Sequence, residues 1–172
     1  MLIHLDPQNL RLLVPVELHV GQVVVFTHHR RHFGGIAGAH LAEYAKMKDV
    51  EIVGLADPVM AAMVPKAEKF GIPLDHCFID EREMLATARP DAVSVCSPNG
   101  AHAANTLAAL KAGAHVIVEK PMAMNPVECQ KMIDTAKKNK VKLTVGFQYR
   151  YHPNSQFLKR AADDGQFGDI MF

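Results

Sequence analysis

From about residue 50 onward, short apolar runs alternate with longer segments whose apolar positions recur at helical spacing. Residues 51–56 read as a strand. Residues 59–70 read as a helix, closed by Gly71 where a left-handed C-cap is wanted. Asp80 stands as N-cap to a short helix through Ala88, with Pro90 just past its end. Residues 92–96 are the next strand. A helix follows over about 101–112 with Gly113 behind it, and 115–118 is another buried strand. Asn125, Pro126 and Glu128 combine an N-cap, a proline at the first helical position and a capping-box acid, which predicts a helix to about Asn139. Residues 142–147 close the series. Strands apolar on both faces, alternating with helices, mean a parallel sheet covered on both sides.

After Phe147 the pattern changes. Residues 148–153 are polar and aromatic, 154–163 have helical character, and 169–172 begin an apolar strand. This reads as the entrance to a second domain. At the other end, residues 9–21 hold apolar residues with no clear period, and residues 1–21 read as an atypical leader. The organisation expected is therefore the leader, a domain over 22–147, and the start of a further domain over 148–172.

Composition narrows the function classes. With 172 residues, 49% hydrophobic and 22% charged, the chain has the makings of an ordinary soluble globular protein. A net charge of +1 gives no reason to expect nucleic acid or an anionic membrane as partner. No run of eighteen apolar residues suits a membrane span, and no secretory signal opens the chain. Cys77, Cys96 and Cys129 are far apart, without the spacing of a disulfide framework or a zinc site. A cytoplasmic protein is expected. The basic cluster of residues 28–32 reads as an exposed loop and not as a metal site.

Residues 34–41 form a glycine-rich turn opening a helix, preceded by the apolar run 22–27. Such a turn lets backbone approach a pyrophosphate, whose charge then sits on the helix N-terminus. Gly34, Gly35 and Ile36 are the residues placed to do this. Asp57, ending the next strand at about 20-residue spacing, suits a ribose-binding carboxylate. The strict G-x-G-x-x-G is absent, because His32 occupies the place of the first glycine.

Farther along, Ser97-Pro-Asn-Gly-Ala-His102 follows one strand, Glu119-Lys-Pro121 the next, and Gly146-Phe-Gln-Tyr-Arg-Tyr-His-Pro153 the last. All lie at carboxyl ends of expected parallel strands, the edge where open α/β sheets bind ligands. Together with "ADP" at 56–58, this ordered set closely resembles the Gfo/Idh/MocA family, the glucose–fructose oxidoreductase and inositol dehydrogenase-like enzymes. The resemblance runs from about Gly34 to Phe172. It implies a Rossmann-type doubly wound parallel sheet followed by the truncated start of a second α/β domain. It further implies reversible hydride transfer between NAD(P) and a hydroxyl carbon of a sugar, polyol or related compound.

On that resemblance Asp57 would hold the adenosine ribose and favour NAD over NADP, because a carboxylate repels a 2′-phosphate. Ser97, Pro98, Asn99 and His102 would line the cofactor, with Glu119 beside it, and Arg150 would reach the same cleft. Lys120 would face substrate and nicotinamide as the catalytic residue, and its bond to Pro121 would be cis, as in the family. A hydroxyl losing hydride must also lose a proton, so a nearby cation that stabilises alkoxide character helps. The acid/base pair of relatives comes from the second domain, so this chain alone is expected to be inactive, and self-association is expected through that domain.

Local readings stand beside these. His102 is equally a surface residue of a helix N-terminus, His115 a structural residue and Cys96 a core residue. Arg150 could instead pair with Asp163 or Asp164. Residues 1–33 depart from the family's first strand and turn, which reads as a leader, a shifted reading frame or a genuine variation. Two further functions compete with the dehydrogenase: an NAD-dependent glycoside hydrolase of the same family, and a non-catalytic nucleotide-binding fragment.

Overall fold

Six strands form one parallel sheet, and the first of them lies in its interior. The structure is a computed structural model that describes residues 22–26 and 35–169. In chain order the strands are β1 (Gln22–Phe26), β2 (Glu51–Ala56), β3 (Cys77–Phe78), β4 (Ala92–Val95), β5 (His115–Val118) and β6 (Leu143–Val145). They lie side by side as β3-β2-β1-β4-β5-β6, every neighbouring pair parallel. This is the Rossmann order, in which the direction of winding reverses between β1 and β4. The leader over 1–21, the basic cluster over 28–32, Gly34 and residues 170–172 lie outside the described residues.

The helices are α1 (Gly35–Tyr44), α2 (Met60–Phe70), α3 (Glu81–Ala88), α4 (Asn99–Lys111), α5 (Pro126–Asn139) and α6 (Pro153–Asp163). Successive strand residues point to opposite faces, which sorts the core into two layers. Val24, Val93, Val95, Val116 and Val118 pack with Met84, Leu85, Leu110 and Met132 of α3, α4 and α5. α1 and α2 contact β2 and each other on the other side, with Leu41 and Met63 fully buried. There the alternate positions Ser94 and Ile117, register partners on β4 and β5, turn toward α1.

Local chemistry explains most boundaries. Gly71 closes α2 at φ 66°, a conformation glycine adopts without a side-chain penalty. The Asp80 side chain accepts the Arg82 N–H at 2.7 Å and starts α3. Asn125 accepts the Glu128 N–H at 2.9 Å, and Glu128 reaches back to the Met124 N–H at 3.1 Å. Two features differ from the pattern-based expectation. The edge strand β3, only two residues long, lies where no element was assigned, and α4 begins at Asn99, with Pro98 at φ −60°, ψ 150° as its N-cap.

The chain falls into two compact units, and the junction between the described parts is Gly146/Phe147. The sheet and α1–α5 belong to the first. The second contains a 3-10 turn (Gln148–Tyr151) and α6, which Pro153 opens at the first helical positions.

Candidate functional site

Asp57, Ser97, Pro98, Asn99, Glu119 and Lys120 follow the carboxyl ends of β2, β4 and β5. β1 ends at Phe26 and α1 begins at Gly35, and the winding of the sheet reverses between β1 and β4. Ile36, in the first turn of α1, is exposed at 38%. No acid stands in the first turn of α1 or of α4, so neither positive helix end is internally neutralised. Asp57 follows β2 and is buried. Its N–H donates to Phe78 O at 3.0 Å and its Oδ1 accepts the Val59 N–H at 2.9 Å, which fixes the carboxylate at the strand end.

Ser97, Pro98 and Asn99 carry β4 into α4. Ser97 is buried, and its Oγ has no hydrogen-bond partner among the described residues. A buried hydroxyl left unpaired costs free energy, and such an atom at a ligand edge is accounted for by a bound polar group. The orphaned hydroxyl and the unneutralised helix ends fit a dinucleotide here. Asn99 is exposed as the first residue of α4.

His102 is 1% exposed. Nδ1 lies 2.6 Å from Pro121 O and Nε2 lies 2.7 Å from Ser97 O. A neutral ring donates to one of these carbonyls and the imidazolium to both. The ring ties the segment after β4 to the segment after β5. The surface reading is corrected by this burial, for the ring lies inside the protein with both nitrogens on backbone carbonyls.

The end of β5 supplies Glu119 and Lys120. The Lys120–Pro121 bond is cis, and the Lys120 side chain is exposed. Among the described residues no carboxylate stands within ion-pair distance of its ammonium. Glu119 is buried and meets His40 of α1, with Oε1 3.0 Å from Nε2. The other His40 nitrogen, Nδ1, lies 2.7 Å from Ser94 Oγ. Burial would lower the His40 pKa, yet Cys96 and Glu119 outweigh it and raise the ring to about 10. Burial would raise the Glu119 pKa, but the hydrogen bond and charge of His40, with help from Lys120, bring it below the usual carboxylate range. The pair is therefore charged at neutral pH. Burial pushes the neighbouring Tyr44 hydroxyl up, and its ring meets His40 edge-on at 6.1 Å.

His40 was not among the expected site residues. The signal lay in Ser94, a polar residue amid the apolar strand 92–96, since a buried hydroxyl calls for a partner. His115 is structural: its Nδ1 accepts the Lys142 N–H at 2.9 Å. Cys96 is buried in the core layer. Arg150 belongs to the second unit, where it is exposed and its guanidinium lies 5.8 Å from the centre of the Phe147 ring. Asp163 pairs with Lys159 and not with Arg150. Among the described residues no group of three or more His, Cys, Asp or Glu could hold a metal ion, and no helix is long and apolar enough to cross a membrane.

Residues 33–147 match the model of an oxidoreductase family described by its NAD-binding Rossmann fold. The chain is 38% identical over 131 residues to the D-glucoside 3-dehydrogenase of Escherichia coli, covering 76% of this chain and 37% of that protein. It is 30% identical over 135 residues to the myo-inositol 2-dehydrogenase of Thermotoga maritima, covering 78% of this chain and 40% of that protein. Among solved structures it resembles the WlbA dehydrogenase of Chromobacterium violaceum in complex with NADH and UDP-GlcNAcA. The TM-score is 0.77 at 28% identity, over 89% of this chain and 42% of that one. The chain thus spans about two fifths of the length of the curated relatives it matches.

Proposed function

Because the chain belongs to the oxidoreductase family whose NAD-binding Rossmann domain its residues 33–147 match, we propose that it is the cofactor-binding part of a dehydrogenase acting on a sugar or polyol. The observation that carries this reading is the convergence of Ser97–Asn99 and Glu119–Lys120 on the ends of neighbouring strands at the reversal of the sheet. Gly34, Gly35 and Ile36 would cradle the pyrophosphate at the start of α1. Asp57 would hold the adenosine ribose, and Ser97, Pro98 and Asn99 would line the nicotinamide half. His102 and Glu119 would support that lining from within. When bound, the nicotinamide supplies the site that accepts or gives up hydride.

Lys120 would act on the substrate hydroxyl. Its exposed ammonium can stabilise oxyanion character on that oxygen in either direction, while the proton passes to and from an acid–base group of the further domain. Residues 148–172 would open the substrate domain, with Arg150 reaching the cleft and further copies assembling through that domain. Cys77, Cys96 and Cys129 are free thiols, which suits a reducing cytoplasm.

NAD is the cofactor favoured, since a carboxylate at Asp57 opposes a 2′-phosphate. Fluorescence titration of the chain with NADH and with NADPH tests this. NADH should bind at least about tenfold more tightly, the size of one lost charged hydrogen bond. Equal affinities, or tighter NADPH binding through Arg30 and Arg31, overturn the preference. Absence of binding by either overturns the cofactor reading itself.

A further inference from the structure

We propose that His40, Glu119 and Gly146 form a clamp that positions Lys120, with His40 as a positioning residue that acts through Glu119; the inference rests on the role of Lys120 given above. The Glu119 carboxylate is held at both oxygens. Oε1 lies 3.0 Å from His40 Nε2, and Oε2 accepts the Lys120 N–H at 3.2 Å. His40 is itself fixed by Ser94 at 2.7 Å. A chain of polar contacts thus runs from Ser94 on β4, through His40 of α1, to the Glu119 carboxylate after β5 and the backbone of Lys120.

The end of β6 completes the arrangement. A Cβ at Gly146 would stand 2.8 Å from Glu119 Oε1, closer than carbon and oxygen tolerate. Gly146 also donates its N–H to Val118 O at 2.8 Å, which brings this backbone alongside β5. Glycine is the residue that lets Oε1 remain on His40 while β6 stays paired.

A buried ion pair gives little net stability over well-packed apolar residues of similar volume. Its value here is geometric. His40 holds the carboxylate toward α1, which fixes the turn after β5 and keeps Glu119 from folding outward onto the Lys120 ammonium. The exposed cation is left free to meet a substrate oxygen, and groups that act on reacting atoms need such support from the residues behind them.

Amide hydrogen exchange of the whole chain, read residue by residue by NMR, tests the clamp in His40→Ala, His40→Gln and Gly146→Ala. The Gly146→Ala chain should fold, because the methyl meets the far end of a flexible side chain, yet it displaces Oε1 from His40. In His40→Ala and Gly146→Ala, exchange at Lys120 should rise roughly tenfold or more while Val116 and Ile117 stay within about twofold. His40→Gln, whose amide can donate to Glu119 and accept from Ser94, should restore Lys120 to within about threefold of the parent. Should His40→Ala fail to fold, Gly146→Ala and His40→Gln decide the matter. An unchanged Lys120 amide in Gly146→Ala, or exchange rising equally along β5, overturns the clamp. NADH titration of the same samples separates the two readings. NADH bound with Lys120 unmoved overturns the clamp and leaves the cofactor reading standing. A responding Lys120 amide in a chain that binds no NADH supports the clamp and overturns the function built on it.

Discussion

At the scale of single residues, the His40–Glu119 pair makes stability depend on pH in a definite direction. A base held charged in the folded chain stabilises it fully below its unfolded pKa, near 6.5, and this contribution fades as pH rises through the folded value of about 10. Glu119, depressed by the same contact, contributes above its ordinary range near 4.5 and loses that contribution as pH falls through its lowered folded value. Urea unfolding should therefore show the parent losing stability relative to His40→Gln between about pH 6.5 and 10. A constant difference across that window would mean the ring is neutral in the folded chain. Much of the site was legible beforehand because it is written in contiguous motifs at strand ends, Ser97-Pro-Asn and Glu119-Lys-Pro. The His40–Ser94–Glu119 contacts were not, because they join residues 54 and 79 positions apart and exist only once α1 lies on the sheet.

At the scale of elements, α2 carries an internal contradiction. Pro65 sits in the interior of the helix from Met60 to Phe70, where it offers no N–H to the turn before it. The helix persists because Met63 and Ala67 are fully buried, so packing outweighs propensity. Pro65→Ala should raise stability by about 1–3 kcal/mol, less than the full cost of an interior proline because the more flexible unfolded chain offsets part of the gain. Denaturant unfolding measures this, and a loss of stability would show that the proline shapes a needed bend. The apolar period carried the reading of α2 through Pro65, and caps at Asp80 and Asn125 gave α3 and α5. β3 escaped notice because two residues carry no period. Its place is set by pairing, Leu55 with Cys77 and Ala56 with Phe78. α4 starts ahead of its apolar pattern because the backbone of Pro98, not a capping side chain, launches it.

At the scale of the whole molecule, residues 1–172 alone should produce no NADH from a panel of aldoses and polyols. The chain spans about two fifths of its relatives' length, and the wall that would hold a sugar and supply acid–base help is expected in a second domain. Losing that help costs about 10²–10⁴-fold in rate, and an open cleft also forfeits orientation. Steady turnover above a no-protein control would relocate the catalytic machinery into these residues. The central place of β1 has a consequence for synthesis on the ribosome. Val23 finds its β4 partner, Ala92, only 69 positions later, so the strand on which both halves of the sheet converge is made long before its second neighbour. At about 5–20 residues per second, roughly 3–14 s pass in which Val23, Val24 and Val25 lack that cover. A nascent chain of this design depends during that interval on chaperones or on transient collapse to keep its most apolar strand from other chains.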